Sequence, residues 1–442
     1  MRPTLVVGSG ISGLSAAVFL ARSKRTVHLW EKHQNFGGML SPVSFQGVLC
    51  DRGSHRVHPE SHPLLRDLTK EEAWVSQPRD GILILGGKHI SYPPKPRDFL
   101  RGLGMKTSLS MAWGFLTRPN RFRSFRSWEK DRSSIPHQDA GFESFVVDRV
   151  GWSAYNEFYR PYVEKVWGLN PADISQTVAK QRVSTSNPLS TLRKSLRKSD
   201  GNVRTFLYPK KGLGSLIENL RQLAISSGVQ IHSDQIFDTS TNFDAYDSVL
   251  YSGHLDNIAP GFELEHRGLY ILHLAFPKRT VGPNDTWYTP EQTYWFGRVS
   301  QPSRFSDELE SRAHDILCVE IPEGQWGTNQ DFTDRLPIIS RQLFDAGILR
   351  SNVLPDEVTQ TWIPKVYPMF RRGWYQRWKQ ALEKVASMKS VFPIGRQGLF
   401  LHCNMDHCVH ISWEAVQNAL REKDSSSWID RCSDFLDLRV RD

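Results

Sequence analysis

The 442-residue sequence predicts an α/β protein, and two stretches near its opposite ends carry that expectation. The first opens the chain. Apolar "TLVV" at 4–7 leads into the glycine turn "GSGISG" at 8–13, and a helical pattern follows through Leu14, Ala17, Val18 and Ala21. The apolar "TVHLWEK" at 26–32 comes next, with Glu31 and Lys32 at its end. Strand, glycine turn, helix, strand and acid in this order make a Rossmann-like dinucleotide-binding unit. The second stretch, "GRQGLFLHCNMDHCVHISWEAV" at 395–416, reads as a strand end, a glycine, a short loop and a helix.

Each residue of the first unit has a physical task. Gly8 permits the tight turn, Gly10 lets backbone approach a pyrophosphate, and Gly13 lets helix pack closely on strand. Ser12 lies in the first helical turn, where free N–H groups and a partial positive charge face the phosphates. Glu31 is placed to accept hydrogen bonds from ribose hydroxyls. Its negative charge disfavours a 2′-phosphate and so argues against NADP, leaving FAD and NAD open. Mid-chain carries no second complete glycine fingerprint, which argues against a dedicated NAD(P)H domain.

Composition sets wider bounds. A hydrophobic fraction of 39% and a charged fraction of 23% suit a soluble globular enzyme, and the length suggests two domains. The content of 14 Trp and 23 Phe would suit an aromatic-lined cavity as well as a large core. A net charge of +9 favours anionic partners by long-range attraction. Nucleic acid is not expected, and a small-molecule substrate, anionic if the charge is used, is. The basic, aromatic stretch 97–132 could face a membrane, but a solvated helix–loop face is the preferred reading. Five scattered Cys give no disulfide framework and fit a reducing compartment. No signal peptide and no run of ~18 apolar residues is seen, so a cytoplasmic location is expected.

Further motifs point to one superfamily. After Glu31 come "GGML" at 37–40 and "CDRGSHRVHP" at 50–59, the latter read as a strand. With the opening unit, these resemble the flavin amine oxidase and protoporphyrinogen oxidase superfamily. "GRxGxFxxxNMD" is closest to its UDP-galactopyranose mutase-like branch. The resemblance implies bound FAD in a GR2-type Rossmann-like domain, with an inserted mixed-sheet and helical substrate domain. It implies cofactor contacts from Gly37, Gly38 and Met39, Met39 standing where an Arg is commonest. It implies further contacts from Gly395, Arg396, Asn404, Met405 and Asp406 at the flavin edge, Asp406 also capping the helix. That helix is expected to bury Val409, Trp413, Val416 and Leu420. "FLYPKKGLGSLIENL" at 206–220, a helix and "VQIH" resemble the second pass through the FAD domain, with Ile236 against the adenine or simply in the core. His55 or His58 would line the flavin face or serve as structural histidines.

Segments 90–100, 156–175, 294–306 and 364–374 resemble the substrate domain of the mutase-like branch. They make Tyr159, Arg160, Arg298, Tyr367 and Arg371 candidate cavity residues. The expected boundaries are FAD-domain segments at 1–66, 203–260 and 386–442, and substrate-domain segments at 67–202 and 261–385. The cluster His402, Cys403, His407, Cys408 and His410 is not read as a zinc site, because its spacing is irregular and no second ligand pair waits elsewhere. The expected activity is FAD-dependent oxidoreduction by hydride transfer to flavin N5. A redox-neutral sugar-nucleotide mutase and a non-catalytic flavin protein are the alternatives. No catalytic residue is assigned, and the oligomeric state is left open.

Overall fold

The computed structural model describes residues 2–92, 96–119, 139–182, 204–238, 240–241, 245–325, 333–422 and 424–440. Residues 120–132 of the basic stretch and the boundary expected at 202–203 lie outside them.

The opening unit folds as its sequence requires. Thr4–Val7 is a fully buried strand, Ile11–Arg22 the helix and Val27–Trp30 the second strand. They belong to a five-stranded, wholly parallel sheet, and all its other strands come from remote sequence. Val391–Pro393, Val249–Tyr251, Thr4–Val7, Val27–Trp30 and Gln230–His232 lie in that order. Continuous burial of the central strands is what a parallel sheet covered on both faces demands. Helix Ile11–Arg22 packs against both Leu213–Ser226 and Met405–Arg421.

A second, seven-stranded mixed sheet runs Glu357–Pro368, His266–Pro277, His314–Pro322, Arg298–Ser300, Thr286–Tyr288, Gly81–Leu85, Lys88–Tyr92. Its pairings are antiparallel except for Thr286–Tyr288 with Gly81–Leu85. One face holds the core of Ile84, Leu272, Leu274, Trp287, Phe296, Leu317 and Val319. On the other, Leu269, Ile271, Cys318 and Val366 receive Met39 from the first domain's glycine turn. Among the described residues no helix is long and apolar enough to cross a membrane.

Three local expectations are corrected. The segment after Cys50 is not a strand; only Val57 forms a bridge, to Leu207. Its polar groups are satisfied by side chains instead of a ladder. Asp51 accepts from Tyr208 and from Leu213 N–H, and Ser54 N–H donates to Glu320. The expected loop after Gly395 begins as a short helical turn, Gly395–Gly398. The helix Met405–Arg421 is capped by Asn404, with His407 reciprocating, and not by Asp406. Asp406 instead accepts the His62 N–H at 2.9 Å. Val409 and Val416 are buried as expected, while Trp413 and Leu420 are only half-buried. The buried face turns toward Ile411, Ser412 and Ala415, small enough at its centre for Ser412 Oγ to reach Ser12 O at 3.0 Å.

Candidate functional site

Three segments far apart in sequence converge at the carboxyl edge of the parallel sheet, where ligands of open α/β sheets bind. At residue 13 a β-carbon would lie 1.8 Å from Gly8 O, so only glycine lets the helix start this close to the strand. Gly395 has φ +71, and a β-carbon there would lie 2.1 Å from Ser12 Oγ. The last segment is thus seated directly on the first helix turn. Gly10 bridges Gly37, and Gly37 N–H donates to Ser9 O at 3.1 Å. The Gly8–Gly13 turn, the Gly37–Met39 turn and the 395–406 segment therefore form one cradle.

Glu31 is 7% exposed at the second strand's end and accepts from Ser9 N (2.8 Å) and Ser9 Oγ (2.6 Å). Its other oxygen accepts the His33 N–H at 3.1 Å. Lys32 beside it is exposed. Gln235 N–H donates to Glu31 O, placing the following Ile236 beside the acid. Ile236 is 73% exposed, so it is not a core residue. Met39 turns into an apolar cluster, its Sδ accepting from Gln397 Nε2 at 3.5 Å.

Beyond the glycine turns lies a charged group. Arg298 forms a bidentate pair with Glu320, at 2.7 and 2.8 Å, and Glu320 also accepts Ser54 N–H at 2.8 Å. Burial opposes the charge on Arg298, but the Glu320 carboxylate prevails and holds the guanidinium firmly protonated. His55 faces Arg298, Glu320 and Arg396 electrostatically; burial first, then Arg298, pushes it down to about 4. It is a neutral imidazole whose buried Nδ1 has no partner among the described residues. The Arg396 guanidinium lies 5.5 Å from the Tyr367 ring and donates to Val366 O and Cys403 O. Tyr367 also meets Trp167 edge-on at 5.7 Å. Lys165, fully buried, donates to Thr289 O and Phe296 O and is pushed down to about 7 by burial.

Other expected residues stand apart. Arg160 pairs with Glu164 on an exposed helix face, and Arg371 pairs with Glu265. Neither guanidinium is drawn into the His55–Arg298–Glu320–Arg396 group by the interactions it makes. Tyr159 ends the Tyr155–Tyr159 π-helical turn, its hydroxyl pushed up by burial. The His58 ring accepts the Glu60 N–H in a surface turn. The histidines and thiols of 402–410 disperse: His410 stacks on His62, His402 meets Trp167 and Phe370, and His407 caps the helix. Cys403 and Cys408 face each other at 3.5 Å, both buried.

Sequence reasoning missed Glu320 and Gln397. The signal for Glu320 was present, since an acid inside the apolar run "ILCVEIP" needs a buried partner. Nothing in the sequence marked Gln397, whose amide spans Lys365 O and Met39.

The cradle and fold agree with comparisons to known proteins. A family described as an NAD(P)-binding Rossmann-like domain matches residues 6–71. The crystal structure of reduced UDP-galactopyranose mutase superposes with a TM-score of 0.79 at 19% identity, covering 98% of this chain and 99% of that one. A protein assigned as a protoporphyrinogen oxidase from Exiguobacterium sp. 255-15 gives 0.71 at 16% identity, covering 95% and 99%. The chloroplastic protoporphyrinogen oxidase of Nicotiana tabacum is 23% identical over 180 residues, 40% of this chain and 31% of that relative's length. In fold, the chain is similar to these solved structures over nearly its whole length.

Proposed function

We propose that this protein is an FAD-dependent oxidoreductase acting on a small polar substrate. The convergence of the three glycine-bearing segments on one cradle carries the reading, because it offers a dinucleotide a continuous path. Gly8–Gly13 and the N-terminus of Ile11–Arg22 would hold the pyrophosphate. Glu31 would release Ser9 and take the ribose hydroxyls, with Lys32 and Ile236 at the adenine end. Gly37, Gly38 and Arg396 would flank the ribityl chain, and Asn404–Asp406 the edge of the ring. The residues fit the group: a β-carbon at Gly10 would meet nothing nearer than Gly37 O at 3.9 Å, so glycine there leaves open space beside the turn, and the helix beginning at Met405 directs free N–H groups to one place. Bound FAD supplies a two-electron acceptor.

The chain's own residues shape the rest. A helix N-terminus stabilises negative charge at the ring edge. Neutral His55 offers Nδ1 as a proton acceptor or hydrogen-bond partner for substrate. Arg298, pinned by Glu320, fixes the wall of the site.

The candidate arginines bear on the choice between oxidoreductase and mutase. A nucleotide-sugar mutase needs cations available for a diphosphate. Arg160, Arg298 and Arg371 are each committed to a carboxylate, Glu164, Glu320 and Glu265. This favours net oxidation of the substrate. The mutase reading is kept as the second because the fold likeness to reduced UDP-galactopyranose mutase spans 98% of the chain.

The test is anaerobic. Oxidised protein is mixed with a panel of amines and other reduced metabolites, and the flavin band near 450 nm is followed. Bleaching by one substrate class supports the oxidoreductase. Rearrangement of UDP-galactose after dithionite reduction, with no net flavin oxidation, would replace it with the mutase. Inertness in both arms would point to a flavin protein without catalysis.

A further inference from the structure

At the seam between the two sheets lies a second cluster that the flavin reading does not use. His254 and Asp256 follow the strand Val249–Tyr251, and His266 opens the strand His266–Pro277. One ligand atom from each lies within 4.8 Å of the others. The two imidazoles meet edge to face at 5.2 Å, and the Phe400 ring backs His266 at 4.9 Å.

Buried polar atoms collect here: His254 Nδ1 and Asp256 Oδ1 have no hydrogen-bond partner among the described residues, and the Gln397 side chain is set against His266. Buried polar atoms are normally satisfied, because each orphan carries the full cost of its lost hydration. Two orphans beside a third ligating ring mark a missing common partner. One nitrogen of each imidazole and one Asp256 oxygen can turn lone pairs toward a common point, which a cation satisfies at once.

We propose that His254, Asp256 and His266 bind a divalent transition-metal ion, with zinc the best match. Two imidazole nitrogens, one carboxylate oxygen and an open fourth position are a zinc-type donor set. The Gln397 side chain lies within hydrogen-bonding reach of His266 and can steady that ring, its amide nitrogen anchored on Lys365 O at 3.0 Å. Lys365 pairs with Asp256 Oδ2, leaving Oδ1 for the ion. A carboxylate that ligates with one oxygen while a donor steadies the other is the usual supporting arrangement.

Asp256 keeps 26% of its side chain exposed, which gives an ion a route in. The ion would tie the parallel sheet to the mixed sheet at the point where His254 and His266 meet.

The experiment uses the full chain as purified, dialysed against a chelator and titrated with zinc chloride. Bound metal is counted by mass spectrometry and melting is followed in parallel. About one zinc per chain is expected, with a rise in melting temperature. His266→Ala and Asp256→Asn should each weaken zinc binding by about 10-fold or more. Asp256→Asn is the safer variant for folding, since its side chain is partly solvated. X-ray absorption at the zinc edge should show nitrogen and oxygen at ~2.0–2.2 Å and no sulfur at ~2.3 Å. Failure to retain zinc, undiminished binding in both variants, or a sulfur shell placing the ion on Cys403 and Cys408 would each overturn the proposal. The zinc count is independent of flavin content, so the two readings stand or fall separately.

Discussion

In the five-stranded sheet, the site is made by backbone: glycines at 8, 10, 13, 37, 38 and 395 bring main chain against main chain, with Glu31 the main charged contributor. In the seven-stranded sheet, the site is made by side chains such as Arg298, Glu320 and Tyr367, each on a different strand. Backbone approach tolerates nothing larger than glycine where it is closest, at Gly13. Side-chain pairing is encoded across long sequence distances and tolerates substitution in pairs. The first sheet therefore fixes which cofactor the chain can hold, and the second is free to set what reacts with it.

Gly13→Val breaks this contrast most severely. A side chain at residue 13 would overlap Gly8 O, so the expected outcome is loss of soluble protein or a flavin-to-protein ratio near zero, read from absorbance. A soluble, flavin-replete Gly13→Val protein would show that the cradle is not built on this contact.

Glu320→Ala strikes the second sheet. It leaves Arg298 largely buried without its carboxylate and should destabilise the fold by about 3 kcal/mol in urea unfolding. Adding Arg298→Met should recover much of that loss, because both charges are then gone. No recovery in the double variant would mean that the pair is not the unit of stability.

Asp51 sits where the two regions meet, accepting from Tyr208 and Leu213, and burial pushes its carboxyl up to about 7. The unfolded chain releases that proton near pH 3.9. Between the two values the native state binds more protons than the unfolded state, so stability falls as pH rises from ~4 to ~7. Asp51→Asn should flatten that slope in unfolding measurements across the window. An unchanged slope would exclude Asp51 as its source.

Ile236→Ala is the mildest change. At 73% exposure it should alter stability by less than ~0.5 kcal/mol. Cofactor affinity should drop several-fold if Ile236 covers the adenine, and equal affinity would remove it from the site.

The same contrast explains what the sequence made legible. Gly8, Gly10, Gly13 and Glu31 lie within one βαβ unit of fixed spacing, so their proposed roles follow from local geometry. The 395–406 segment was placed by motif, but its cap was misread: Asp406 has the right chemistry, whereas Asn404 has the extended backbone that an N-cap requires. Arg298 was picked out by resemblance, and its partner Glu320 was hidden 22 residues on, because strand pairing alone brings them together. The histidines of 402–410 drew attention by their density. The three residues that gather as possible metal ligands, His254, Asp256 and His266, include two on different strands' ends and form no motif.

The most direct measurement is the visible absorption spectrum of the purified protein, with any released cofactor identified by chromatography. Bands of bound oxidised flavin near 375 and 450 nm, with FAD as the released species, are the predicted result. A colourless protein that stays colourless after incubation with FAD would contradict the account at its centre.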